Sequence, residues 1–123
     1  MTIADTDVLI DFLAGKGEAD AVEALLRRGA LRTTVISRFE LLSGAKSTKQ
    51  LARLLQLLGA VPSLGLDDAA ADAASEIRRS LEQGGNSIGM ADSLIAGIVV
   101  SNRGTLRTRN RGHFARVPGI KLA

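Results

Sequence analysis

Short runs of β-branched and aliphatic residues alternate along this chain with longer stretches in which apolar residues recur at helical spacing. The short runs predict strands and the periodic stretches helices. Thr2–Asp5 is a very short first strand, followed by a helix over Asp7–Leu13 that ends at Gly15 or Gly17. A second helix, Glu18–Arg28, gathers Ala21, Val22, Leu25 and Leu26 on one side and stops at Gly29. Leu31–Ile36 is the second strand, with Thr33, Thr34, Val35 and Ile36 all β-branched. Ser37 then opens a helix to Leu42 or Ser43, closed by Gly44.

Thr48–Leu58 continues as a helix with Leu51, Leu54, Leu55 and Leu58 as its apolar stripe. Val61–Leu64 is a third strand, and Asp67 or Asp68 caps a long alanine-rich helix through Glu82. Gly84-Gly85-Asn86 is a turn. The helix from Gly89 to Asn102 is apolar on nearly every side, which makes it central and buried. Thr105–Thr108 and Gly119–Leu122 supply the fourth and fifth strands. Strands alternating with helices define an α/β domain with a doubly wound parallel sheet. Ligands in that architecture bind beyond the carboxyl ends of the strands.

The 123 residues correspond to one domain, 1–123, long enough for a real core. Hydrophobic residues at 46% and charged residues at 24% argue against intrinsic disorder. With no cysteine, disulfides, thiolate zinc sites and cysteine nucleophiles are excluded. No apolar run is long enough to span a membrane, and the acid-bearing N-terminus lacks a basic leader, so the expected location is cytoplasmic. Charge is unevenly spread: all 13 acids lie in the first 92 residues, whereas the last 31 hold six basic residues and no acid. That asymmetry points to a polyanion partner or to a solvated basic tail. With only three aromatic residues, any nucleic acid would be held mainly through arginine and phosphate.

The polar residues near the predicted strand ends are the candidates for chemistry. Asp7 reads first as a helix cap, and less so Asp5, which stands two residues before the helical pattern. Glu40 lies four residues past Ile36, where Ser37-Arg38-Phe39-Glu40 also matches a capping box. Asp92 falls in the opening turns of the buried helix, although Asn86 and Ser87 are available as caps there. Asn110 follows the fourth strand as a turn residue or as a member of a polar cluster. Asp5, Glu40 and Asp92 gathered in one crevice would repel one another without a cation. An all-oxygen set suits Mg2+ or Mn2+, which can activate a water against a phosphodiester, with Arg107, Arg109 and Arg111 as a basic rim. His113, the only histidine, reads as structural ahead of a general acid or base.

These segments together resemble the PIN-domain ribonucleases, and among them the VapC-type toxins of toxin–antitoxin pairs. Ala4-Asp5-Thr6-Asp7-Val8-Leu9-Ile10-Asp11 resembles the first family motif, with its aspartate on Asp5 and its hydroxyl residue on Thr6. Ser37-Arg38-Phe39-Glu40-Leu41-Leu42-Ser43-Gly44 resembles the second, and Ala91-Asp92-Ser93-Leu94-Ile95-Ala96 the third. The closing segment runs from Thr105 through Asn110, His113-Phe114 and Val117-Pro118-Gly119. The resemblance implies a three-layer α/β/α sandwich around a short parallel sheet of about five strands. It further implies Mg2+- or Mn2+-dependent RNA cleavage, with Asp5, Glu40 and Asp92 on the metal, a cognate antitoxin and a homodimer. Many relatives carry a fourth acid where this chain has Asn110, whose amide can orient a water but adds no charge. Asp7, where relatives often have a neutral polar residue, is a candidate to offset that loss.

The competing class is a catalytically impaired RNA-binding module of the same fold, which would bind RNA in a salt-dependent, EDTA-insensitive way. A phosphoacceptor receiver domain ranks below it, because the third strand lacks an acceptor aspartate at its end. A nucleotide-binding domain ranks lower again, since no phosphate-cradling loop occurs.

Overall fold

The structure, a computed structural model, describes residues 1–123. Five strands, β1 (Thr2–Ala4), β2 (Leu31–Thr34), β3 (Ser63–Leu64), β4 (Thr105–Arg107) and β5 (Lys121–Leu122), form one sheet in the order β3-β2-β1-β4-β5. Every neighbouring pair is parallel, with Thr2 opposite Leu31 on one side and Thr105 on the other. Seven helices connect and cover them: α1 (Thr6–Ala14), α2 (Ala19–Arg27), α3 (Val35–Ser43), α4 (Thr48–Ala60), α5 (Asp68–Gln83), α6 (Met90–Ser101) and α7 (Arg111–Phe114).

Adjacent strand residues face opposite ways, so Ile3 and Ala4 enter two separate cores. Ala4 packs with Val8, Leu9, Val22, Leu41, Leu54 and Leu58 from α1 to α4. Ile3 packs with Ile77, Leu81, Ile95, Val99 and Phe114 from α5 to α7. The result is the three-layer α/β/α sandwich. Full burial of a side chain such as Ile95 contributes about 1.5–3 kcal/mol. Helices α5 and α6 meet at Gly97, where an added Cβ would lie 2.6 Å from both the Ala70 carbonyl oxygen and the Ala74 Cβ.

Several element boundaries differ from the sequence expectation, each for a local reason. β1 ends at Ala4, and Asp5 rather than Asp7 is the N-cap of α1, accepting from the Thr6 N–H. The two-residue gap counted against Asp5 does not exist, because polar Thr6 and Asp7 are themselves helical. β2 ends at Thr34, whose hydroxyl accepts from the Ser37 N–H and starts α3 two residues earlier than Ser37. Val35 and Ile36 are thus in a helix despite their β preference, since cap and packing outweigh propensity. The Ser37–Glu40 capping box is therefore absent. On α4 the buried leucines are Leu54, Leu57 and Leu58, while Leu51 and Leu55 face outward. α6 starts after Gly89 with no side-chain cap, so neither Asn86 nor Ser87 serves it. The short helix α7 was not marked by periodicity.

Because the chain steps from β1 to β2 and β3 on one side and to β4 and β5 on the other, the strand order reverses at β1. Loops leaving β1 and its neighbours diverge there, opening a crevice at the carboxyl ends.

Candidate active site

Asp5 lies at that opening, directly after the central strand. It is only 6% exposed. One carboxylate oxygen accepts from the Thr6 N–H at 2.8 Å and the other from the Thr108 hydroxyl at 2.7 Å. Thr108 in turn accepts from the Asn110 N–H at 3.0 Å, which ties the segment after β4 to the end of β1. Burial pushes the Asp5 carboxyl up to about 6; the Thr108 and Thr6 hydrogen bonds oppose the rise, and the Asp7 and Asp92 charges add to it. Asp5 therefore has its negative charge disfavoured in the absence of a cation.

Thr6 connects this acid to the second motif. Its hydroxyl lies 2.7 Å from Glu40 Oε1 and 2.9 Å from Ser37 Oγ. A hydroxyl has one proton, so with Thr6 donating to Glu40, Ser37 donates to Thr6. The chain Ser37–Thr6–Glu40 orients the glutamate from a fully buried serine. Glu40 also borders a cleft of about 330 Å³ between α1, α3 and α4, lined by Ile10, Leu13, Leu41, Arg53 and Leu54.

Asp92 sits in the first turn of α6, where the helix dipole favours an anion. It is near enough to Asp5 for its charge to raise that carboxyl. Its Oδ2 lies 3.5 Å from His113 Nδ1, and the same ring nitrogen is 3.0 Å from Asn110 Nδ2. His113 therefore lies beside Asp92 and Asn110. Asp7 accepts from the Arg109 N–H at 3.4 Å, and burial raises its carboxyl while Arg109 opposes the rise.

Two of the three arginines expected on the rim are bound to acids. Arg107 Nε lies 2.7 Å from Glu18 and Arg109 Nε 3.2 Å from Asp11. Arg111 donates to the Ala123 carbonyl oxygen. Arg109 and Arg111 stay exposed, whereas Arg107 is half-buried.

No three acidic or histidine side chains come together as a complete ligand set. Glu40 is drawn toward Thr6, and Asp92 toward His113, so the three expected carboxylates border the crevice without converging on one point. Mg2+ is commonly held by one or two carboxylates and several waters. A buried, charge-strained Asp5 beside Asp92 fits that kind of open, all-oxygen site. Sequence reasoning missed Ser37, Thr108 and Asp11. A hydroxyl residue near the end of each of two predicted strands was the only signal for the first two, and nothing marked Asp11.

Residues 2–120 match the family model described as PIN domain, and the chain belongs to the PIN-domain family. Within it, the chain is similar to VapC proteins. It is 28% identical over 121 residues to the tRNA(fMet)-specific endonuclease VapC of Shigella flexneri, covering 95% of this chain and 92% of that protein. Among solved structures, DNA-bound VapBC from Salmonella typhimurium aligns with a TM-score of 0.84 at 27% identity, covering 99% of this chain and 96% of that one. VapBC2 from Rickettsia felis, bound to a DNA fragment from its promoter, shares the fold with a TM-score of 0.85 at 24% identity, over 99% and 96% of the two chains. No helix is long and apolar enough to cross a membrane.

Proposed function

We propose that this chain, one PIN-like domain over residues 1–123, is a Mg2+- or Mn2+-dependent endoribonuclease toxin. The observation that carries the reading is Asp5: a buried carboxylate at the strand-order reversal, pushed up to about 6 and flanked by Asp92 and the Thr6–Glu40 pair. Asp5, Asp92 and Glu40 would hold the metal ion, directly or through water. When bound, such an ion lowers the cost of deprotonating a water and stabilises charge building on the phosphate. The chain's own residues do the positioning. Thr108 and the Thr6 N–H orient Asp5, Thr6 orients Glu40, and the Asn110–His113 pair borders the crevice beside Asp92. Arg109 and Arg111 contact RNA phosphate. Its substrate class follows the Shigella relative, so tRNA(fMet) is the first RNA to test.

A cognate antitoxin covers the crevice. The cleft beside Glu40, with Ile10, Leu51 and Leu55 exposed along α1 and α4 and Phe39 69% exposed on α3, offers it apolar surface. A second copy of the chain completes the homodimer common in the family.

Purified, antitoxin-free protein should cut tRNA(fMet) into discrete products with Mg2+ or Mn2+. EDTA should stop the cut, and Asp92→Asn should lower it by roughly a thousandfold without loss of fold. Retention of RNA with no cleavage under any condition would replace this reading by the RNA-binding module.

A further inference from the structure

Asp11 is the most buried acid in the molecule and has no part in the chemistry assigned above. It stands one turn beyond Asp7 on α1 and is 1% exposed. A carboxylate so placed is costly unless a counter-charge reaches it. The cation that does is Arg109, whose Nε lies 3.2 Å from Oδ2. The Glu18 N–H donates to the same oxygen at 3.4 Å, and Oδ1 has no partner. Gly17 closes over the carboxylate with φ +55, and a Cβ there would collide with Oδ2.

Arg109 itself is 53% exposed. Its backbone N–H is held by Asp7, one turn nearer the crevice. Its Nη groups have no hydrogen-bond partner in the protein. A guanidinium carries five N–H donors in a rigid fork. The ion pair at Nε leaves the four Nη donors without a partner in the protein. Arg107 differs, since its Nε partner Glu18 is as exposed as Arg107 itself, at 31% each.

We infer that Asp11 is a positioning residue: buried on α1, it anchors Arg109 through Nε and presents the free Nη edge to RNA phosphate beside Asp7 and the crevice. This rests on the ribonuclease reading above. Ordering a long side chain before RNA arrives removes an entropy cost that binding would otherwise carry. Electrostatics alone requires the opposite of this inference. Asp11 repels RNA, so neutralising it should strengthen binding.

The test measures binding of fluorescently labelled tRNA(fMet) in EDTA to the full chain. Arg109→Gln should weaken binding by about fivefold to twentyfold and reduce the slope of log affinity against log salt by about 1. Asp11→Asn should weaken binding by about threefold to tenfold although it adds net positive charge. The double variant should bind no more weakly than Arg109→Gln, because the two residues act as one unit. An Asp11→Asn protein that binds as tightly as wild type, additive losses, or an indifferent Arg109→Gln would each overturn the inference. Should Asp11→Asn fail to fold, relaxation of the Arg109 15Nε in wild-type protein decides. An ordered Nε–H supports the anchor, and one as mobile as that of exposed Arg28 overturns it. Wild-type protein that neither binds nor cuts RNA removes the ribonuclease reading with it. Wild-type cleavage with undiminished Asp11→Asn binding removes this inference alone.

Discussion

The two sides of the crevice are built differently. On the side of β1 and α3, Asp5 and Ser37 are buried, Thr6 and Glu40 are half-covered, and the groups are linked by hydrogen bonds of 2.7–2.9 Å. On the side of α6 and α7, the side chains of Asp92 and His113 are 28% and 45% exposed, and their closest approach is 3.5 Å. Asn110 there is exposed as well. The first side is continuous with the packed interior, so its geometry is set by the fold and is costly to alter. The second is open to solvent, where residue types can change with little effect on packing. Asn110, where the sequence resemblance led one to expect an acid, falls on the open side.

The largest effect should come from the buried side. Asp5→Asn should reduce cleavage by roughly a thousandfold while making the metal-free protein more stable. The sign follows from linkage. With its folded carboxyl raised to about 6, Asp5 binds its proton more tightly in the native state than in the unfolded chain. Its contribution to stability is therefore present at acid pH and lost as pH rises from about 4 through about 6. Urea melts should find Asp5→Asn ahead by about 1–3 kcal/mol at pH 7.5 and level with wild type near pH 4. A variant less stable than wild type at pH 7.5 would show that Asp5 is not strained.

A smaller loss should follow Ser37→Ala. It removes the donor that leaves the Thr6 proton free for Glu40, without touching either acid. The turnover number should fall by roughly tenfold with KM little changed, and stability by about 1 kcal/mol. Unchanged turnover would mean that Glu40 needs no fixed orientation. Asn110→Asp should have the mildest effect. It adds charge on the exposed side, should tighten Mn2+ binding by a few-fold in calorimetry, and should shift stability by less than about 0.5 kcal/mol. A large destabilisation there would break the contrast between a rigid and an open side.

Much of the fold was legible because its signals are local. The glycine stops, the leucine and alanine periodicities, and the apolar run from Leu94 to Val100 each report their own element. Boundaries were less legible where two neighbours compete. Val35 and Ile36 carry strand propensity, yet they follow a Thr34 whose hydroxyl starts a helix. Asp5, Glu40 and Asp92 were legible as candidates because each stands beside an apolar segment of the sequence. Their supporting hydroxyls and the Asp11 anchor were not, because each partnership is made across the fold. Thr6 meets Glu40 at a separation of 34 residues, and Asp5 meets Thr108 at 103.

By itself, then, the sequence determined the alternation of strands and helices and the parallel class, and it named the candidate acids. Those depend on periodicity and residue type, which are properties of short windows of chain. Tertiary structure alone decided that Arg107 and Arg109 are bound to acids on α1 and at the start of α2. It also decided that His113 turns toward Asp92 and that Asp5 carries a disfavoured charge. Charge pairing and desolvation depend on which distant segments close over a group, and only the packed chain specifies that.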